Sequence, residues 1–192
     1  MLLGAPGAGK GTLSAHLAQK HDMLHYSLGD SLRSWMRENH DTLLAAQIRD
    51  RLDNQGFLTS EELFPFLQRA IFDAICDGNG KGRGVINDGF PRCTEQLENF
   101  DSWVVQDKLP ILTGNNCQTK VVASPNIVLM LEVTEDNAGA RYLRRGRDAN
   151  DSQEKFEKRF AEYRRETSVV EEAYRQRGIL IQVSVKSFLG KQ

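Results

Sequence analysis

The sequence predicts an α/β fold built on a parallel sheet. Three observations carry this reading. Short β-type runs alternate with longer helical patterns along the 192 residues. One run, Asn126–Leu131 (NIVLML), is apolar throughout, as a strand covered on both faces should be. The first run feeds a glycine-rich turn and then an amphipathic helix.

The elements follow in order. Met1–Gly4 is a short apolar strand, and Gly11–Lys20 is the helix after it. Leu24–Ser27 is the second strand, leading into a helical pair, Asp30–Glu38 and Thr42–Gln55. Ser60–Asp77 carries Leu63, Leu67, Ile71 and Ile75 at helical spacing. Gly84–Asn87 is the third strand and Thr94–Val104 the next helix. Residues 105–125 read as a loop or hairpin excursion, and no function is legible in them. Asn126–Leu131 precedes a helix, Thr134–Arg145, which opens with a Thr cap and two acids in its first turn. Gly146–Ser152 is a short polar connection. Gln153–Arg177 is the longest helix, with Phe156, Phe160 and Tyr163 at i, i+4 and i+7, and Ile179–Val183 closes the sheet.

Composition narrows the function classes. The chain is 40% hydrophobic and 27% charged, enough for one domain with a sizeable core. Its net charge of −1 gives no global argument for nucleic acid or membrane as partner, and neither is expected. Any anion must be met by a local cluster of positive groups. Cys76, Cys93 and Cys117 are odd in number, widely spaced and free of a CxxC pair, which speaks against a zinc site or a disulfide framework. A reducing, cytoplasmic location is expected. No apolar run reaches the ~18 residues of a membrane span. Met1-Leu2-Leu3 runs straight into glycines with no signal-peptide pattern. Either the chain begins late in its first strand or its true start lies upstream.

The motif with the strongest chemistry is Gly4-Ala5-Pro6-Gly7-Ala8-Gly9-Lys10-Gly11-Thr12. Phosphate oxygens need many donors around one point. Glycines let the backbone curl so that successive N–H groups face inward, and the following helix adds its N-terminus. Lys10 can reach β- and γ-phosphates, and the Thr12 hydroxyl can ligand Mg²⁺. Gly11 separates Lys10 from Thr12, so the generic P-loop expression fits with one insertion. A second group is Asp88, Gly89 and Arg92 at the end of the third strand, where a carboxylate is placed to hold Mg²⁺ or its water. A third is Arg141, Arg144, Arg145, Arg147 and Arg159, crowded into one region. Arg141 and Arg145 share a helix face, and Arg159 sits beside the inward-facing Phe156 and Phe160. Arginines so placed can hold the charge of a phosphoryl transition state.

The form GxPGxGKGT is similar to that of the adenylate kinase and UMP-CMP kinase family. Tyr26-Ser27-Leu28-Gly29-Asp30-Ser31-Leu32-Arg33 resembles its S-[TA]-G-D-x-L-R, and Asp88-Gly89-Phe90-Pro91-Arg92 resembles its DGFPR. Gly56-Phe57-Leu58-Thr59 resembles G-x-[LI]-V, and Arg141-Tyr142-Leu143-Arg144-Arg145-Gly146 resembles R-L-L-x-R-G.

The resemblance implies a three-layer P-loop sandwich with a five-stranded parallel sheet, spanning 1–192 as one domain. Its core would be 1–29, 61–143 and 154–192, its helical acceptor-binding arm 30–60 and its short lid 144–153. It implies transfer of the ATP γ-phosphoryl group to AMP, with Mg²⁺, by a monomer. Gly7, Ala8, Gly9, Lys10, Gly11, Thr12 and Arg141 would bind ATP. Ser27, Arg33, Leu58, Gly89, Arg92 and Gln96 would bind the monophosphate, and Gln96 would face an adenine. Lys10, Arg92, Arg145, Arg147 and Arg159 would carry catalysis, and Thr12 and Asp88 the metal. Asp148 and Asp151 would stand for paired acids that tie the lid down. UMP-CMP kinases carry asparagine where Gln96 stands, so UMP or CMP is the alternative acceptor. Leu28 and Thr59 depart from the pattern, and so does Arg-Asp-Ala-Asn-Asp in the lid. A nucleotide-binding protein without turnover is the reading from another class.

Overall fold

The computed structural model describes residues 1–54, 57–76, 84–105, 125–146 and 151–185. Strands β1 (Leu2–Gly4), β2 (Leu24–Ser27), β3 (Val85–Asp88), β4 (Val128–Glu132) and β5 (Leu180–Ser184) form one sheet. Its order is β2-β3-β1-β4-β5, and every pairing is parallel. The predicted α/β fold is present. Among the described residues the helices are α1 (Lys10–His21), α2 (Leu28–Glu38), α3 (Leu43–Asn54), α4 (Ser60–Cys76), α5 (Thr94–Val105), α6 (Glu135–Arg145), α7 (Gln153–Glu162) and α8 (Ser168–Gln176).

The central strand is only three residues long, yet it feeds both faces of the sheet. Leu2 joins a cluster with Ala18 of α1, Ile86 and Leu131. Leu3 points the other way, to Leu97 of α5, Val128, and Val170 and Tyr174 of α8. Helices therefore cover a parallel sheet on both sides, as its burial demands. A separate core joins α2, α3, α4 and α5 around Leu28, Leu32, Ile48, Leu58, Leu67 and Phe90. Phe90, Phe100 and Trp103 interlock there, with ring centroids 5.4–5.9 Å apart.

Side-chain caps set the helix starts. Ser27 Oγ accepts from Asp30 N at 3.4 Å, which starts α2 at Leu28 rather than at the predicted Asp30. Thr42 Oγ1 accepts from Ala45 N, Thr134 Oγ1 from Asn137 N and Ser152 Oγ from Lys155 N. Thr59 and Glu62 form a reciprocal pair at α4. Thr59 N donates to Glu62 Oε2 at 2.8 Å, and Glu62 N to Thr59 Oγ1 at 3.3 Å. The departure from the family's valine at Thr59 is thus a helix cap.

Other boundaries move too, β4 and β5 by one or two residues. β3 ends on Asp88, one residue beyond the predicted strand, because Ser27 pairs with it in register. The helix predicted over Gln153–Arg177 is interrupted by a π-helical turn, Tyr163–Thr167. Residues 106–124 of the predicted excursion lie outside the described residues, as do 55–56 and 147–150, with Arg147 and Asp148 among them. No helix among the described residues is long and apolar enough to cross a membrane.

Candidate active site

The carboxyl ends of β1 and β3 meet at the middle of the sheet, and the site is built there. The loop after β1 is pressed against α6. A Cβ at Gly7 would lie 2.1 Å from the Ala138 carbonyl oxygen, and φ there is +82°. Only glycine fits. Gly9 is the N-cap of α1, whose first turn faces the loop and presents N–H donors to an anion. The Lys10 ammonium lies back across the loop, donating to the carbonyls of Gly4 at 2.8 Å and Ala5 at 3.0 Å. Thr12 stands exposed on that turn.

The second wall comes from β2, β3 and α2. Asp88 is buried, with the His25 Nε2 atom 4.0 Å from its Oδ2. Gly89 turns the chain at φ +91°, and its carbonyl accepts from Arg92 Nε at 2.7 Å. Burial pushes the Arg92 pKa below its ordinary value. Asp88 and Glu162 oppose that shift, while Arg159 and Arg33 add to it. A desolvated guanidinium among other guanidiniums is a site that favours an anion. Arg33 donates to Asp30, one turn before it on α2.

Gln96 is buried, and both ends of its amide are engaged within the protein. Its Oε1 accepts from Arg92 N and its Nε2 donates to the Leu58 carbonyl, each at 2.8 Å. Gln96 thus ties the loop of Arg92 to Leu58, just before α4. Leu28, already inside α2, packs into the apolar core.

The third wall is α6, α7 and the π turn. Arg145 Nε lies 3.5 Å from Asp151 Oδ2, and Arg159 Nη1 donates to the Tyr142 hydroxyl at 3.1 Å. Thr167 Oγ1 donates to the Arg92 carbonyl at 2.9 Å, so the π turn buttresses the second wall. Sequence reasoning missed Glu162 and Tyr142. Burial raises the Glu162 pKa against the pull of Arg92, Arg165 and Arg159. Its signal was spacing, one turn after Arg159 on the inward face. Tyr142 is fully buried beneath Arg145 and Arg159, and its signal was the departure from R-L-L.

One cleft of about 1740 Å³ gathers these walls. Pockets of ~300–1,000 Å³ hold one small ligand, so the space suits two. Gly7, Ala8, Gly9, Lys10, Gly11, Thr12, Ser27, Arg33, Leu58, Asp88, Gly89, Arg92, Gln96, Arg141, Arg145 and Arg159 all line it. Of the residues given a role by the sequence, Arg147 and Asp148 fall outside the described residues. Thr12 and Asp88 offer a hydroxyl and a carboxylate, the hard oxygen donors Mg²⁺ takes together with water and substrate phosphates. No set of three or more His, Cys, Asp or Glu side chains among the described residues forms an all-protein metal cage. The residues present fit a Mg²⁺ carried largely by a nucleotide.

A parallel sheet with a phosphate loop at its switch point and arginines on two further walls defines a P-loop protein of the nucleotide-kinase type. The adenylate kinase family model matches residues 2–179. An adenylate kinase of Bacteroides fragilis is 32% identical over 181 residues, covering 93% of this chain and 85% of its own length. One from Nitratiruptor sp. is 33% identical over 182 residues, covering 94% and 83%. One from Synechococcus sp. is 31% identical over 186 residues, covering 97% and 89%. The chain belongs to the adenylate kinase family and is a phosphotransferase.

Proposed function

We propose that the cleft moves the γ-phosphoryl group of ATP onto AMP, giving two ADP. The observation that carries this is the convergence of Lys10, Arg33, Arg92, Arg141, Arg145 and Arg159 on one cleft floored by the phosphate loop. ATP lies with its phosphates on residues 7–12 and its adenine toward Arg141. AMP lies against residues 30–60, its phosphate between Arg33 and Arg92 and its base toward Leu58 and Gln96. Residues 144–153 act as the lid.

No side chain need serve as a strong base, because the acceptor phosphate is already a nucleophile. Catalysis is then alignment of two phosphates plus neutralisation of spreading charge. Arginine suits the task, being always charged and forked to hold two oxygens. Lys10 exchanges its loop carbonyls for phosphate oxygens when ATP binds. Thr12 and Asp88 would hold Mg²⁺, in part through water, and the ion supplies charge neutralisation between phosphates. Closure of the lid over the arginines excludes water that would hydrolyse ATP. One chain supplies every wall, so the monomer is the working unit. The odd number and wide spacing of the cysteines support the cytoplasm as its compartment.

The test is ADP production from ATP and Mg²⁺ with AMP, UMP or CMP in turn. Turnover with AMP preferred is expected. ATP binding with no turnover on any acceptor would leave a binding protein instead. Arg92→Ala should lower kcat/KM for AMP by roughly a hundredfold or more with the fold retained. A near-normal rate in that variant would remove Arg92 from the site.

A further inference from the structure

We propose that Tyr142 is a positioning residue for the transferring phosphoryl group, holding Arg159 by its hydroxyl and Arg145 by its ring. The inference rests on the reading of Arg145 and Arg159 as phosphate ligands.

Tyr142 is completely buried, on the face of α6 that packs against α7. A buried phenol needs a partner for its hydroxyl, and Arg159 supplies one. The hydroxyl accepts from Arg159 Nη1 at 3.1 Å, and the negative charge of the nearby Asp151 adds to the burial that raises its pKa. The Arg145 guanidinium lies 4.3 Å from the centre of the same ring, within cation–π range. Asp151 is itself almost fully buried and lies 3.5 Å from Arg145 Nε. One side chain thus touches both arginines.

A leucine, which the family pattern carries here, would supply the packing against Phe156 and none of the polar contacts. Arginine has several free torsions, and a phosphate that binds it must freeze them. Tyr142 freezes them beforehand, the condition for fast transfer between aligned groups. Burial pushes its pKa up, so the hydroxyl is a neutral phenol whose oxygen accepts from Arg159.

The experiment compares Tyr142→Phe and Tyr142→Leu with the unaltered chain in kcat, KM for ATP and AMP, and thermal melting. Tyr142→Phe keeps the ring and removes only the hydroxyl. We expect kcat to fall roughly tenfold, the AMP KM to hold and the melting temperature to hold. Tyr142→Leu should lower kcat further, since Arg145 loses its platform. In an Arg159→Ala background, Tyr142→Phe should cost little more, because the hydroxyl acts through that guanidinium. Unaltered kcat in Tyr142→Phe overturns the proposal. So does a loss fully additive with Arg159→Ala, or one that tracks melting temperature. Full activity in Arg159→Ala itself would instead remove the underlying phosphate-site reading, and the proposal with it.

Discussion

A methyl group added at Gly7 would sit 2.1 Å from the Ala138 carbonyl oxygen, in a backbone conformation that L side chains rarely adopt. The conformation alone costs about 1–3 kcal/mol. The overlap adds to it, because the obstacle is helix backbone and no rotamer change relieves it. Either the phosphate loop or α6 must shift, and α6 carries Arg141 and Arg145. Gly7→Ala should weaken ATP binding by roughly tenfold or more and lower the melting temperature. Gly9→Ala shares a positive φ but has nothing within 4 Å, so it should lose less. Calorimetric titration with ATP measures both. Equal losses would mean that φ strain, and not the α6 contact, sets the effect. The sequence marks this loop as glycine-rich. It does not show which glycine bears on α6, because that contact is made by a residue far along the chain. Gln96 is similar: its spacing from Arg92 is legible, while its two internal hydrogen bonds depend on tertiary neighbours.

Among the elements, the π turn between α7 and α8 is the one the residue pattern hid. Phe156, Phe160 and Tyr163 keep helical spacing into it, so the stripe reads as one uninterrupted helix. The wider turn is held by bonds to other elements and across its own end. Thr167 bonds the Arg92 carbonyl, and the Tyr163 hydroxyl donates to Glu171 at 2.8 Å. Burial raises the Glu171 pKa, while Tyr163, Arg175 and Lys10 oppose the rise. The sign follows. The folded chain binds this proton more tightly than the unfolded chain, so the group's contribution is complete below the ordinary carboxylate value of 4.5. It is lost as pH rises through the raised folded value. Glu171→Gln keeps an acceptor for Tyr163 and removes the titration. In urea unfolding, the variant's stability relative to the unaltered protein should therefore improve between acid and mildly alkaline pH. A difference that stays constant across that range would show that Glu171 carries no such linkage.

At the scale of the whole molecule, the strand order does what local patterns cannot. Pairing of β2 with β3 sets Ser27 beside Asp88, and that brings the start of α2 to the loop bearing Arg92. The crowding of arginines from 141 to 159 is visible in the sequence. Their meeting with Arg33 and Arg92 is a product of the sheet. The outcome is a strongly polarised charge distribution. Among the described residues, ten Lys and Arg side chains line the cleft against two carboxylates, Asp88 and Glu162, in a chain whose net charge is −1. The remaining surface is therefore acidic. Such a field draws anionic nucleotides to the cleft and away from the rest of the surface. Mobile ions weaken it, since the screening length falls from ~10 Å at 0.1 M to ~3 Å at 1 M. On the proposed function, a closed lid would shield the contacts at the transferring phosphoryl from solvent, and they would be screened far less. Raising KCl from about 0.05 M to about 0.5 M should therefore lower kcat/KM for AMP by roughly tenfold. The loss should appear in KM, with kcat and the melting temperature nearly constant. Initial rates at saturating ATP across a salt series separate the two constants. If kcat fell with salt while KM held, the steering role would be lost and the charge would act on the chemical step or on closure.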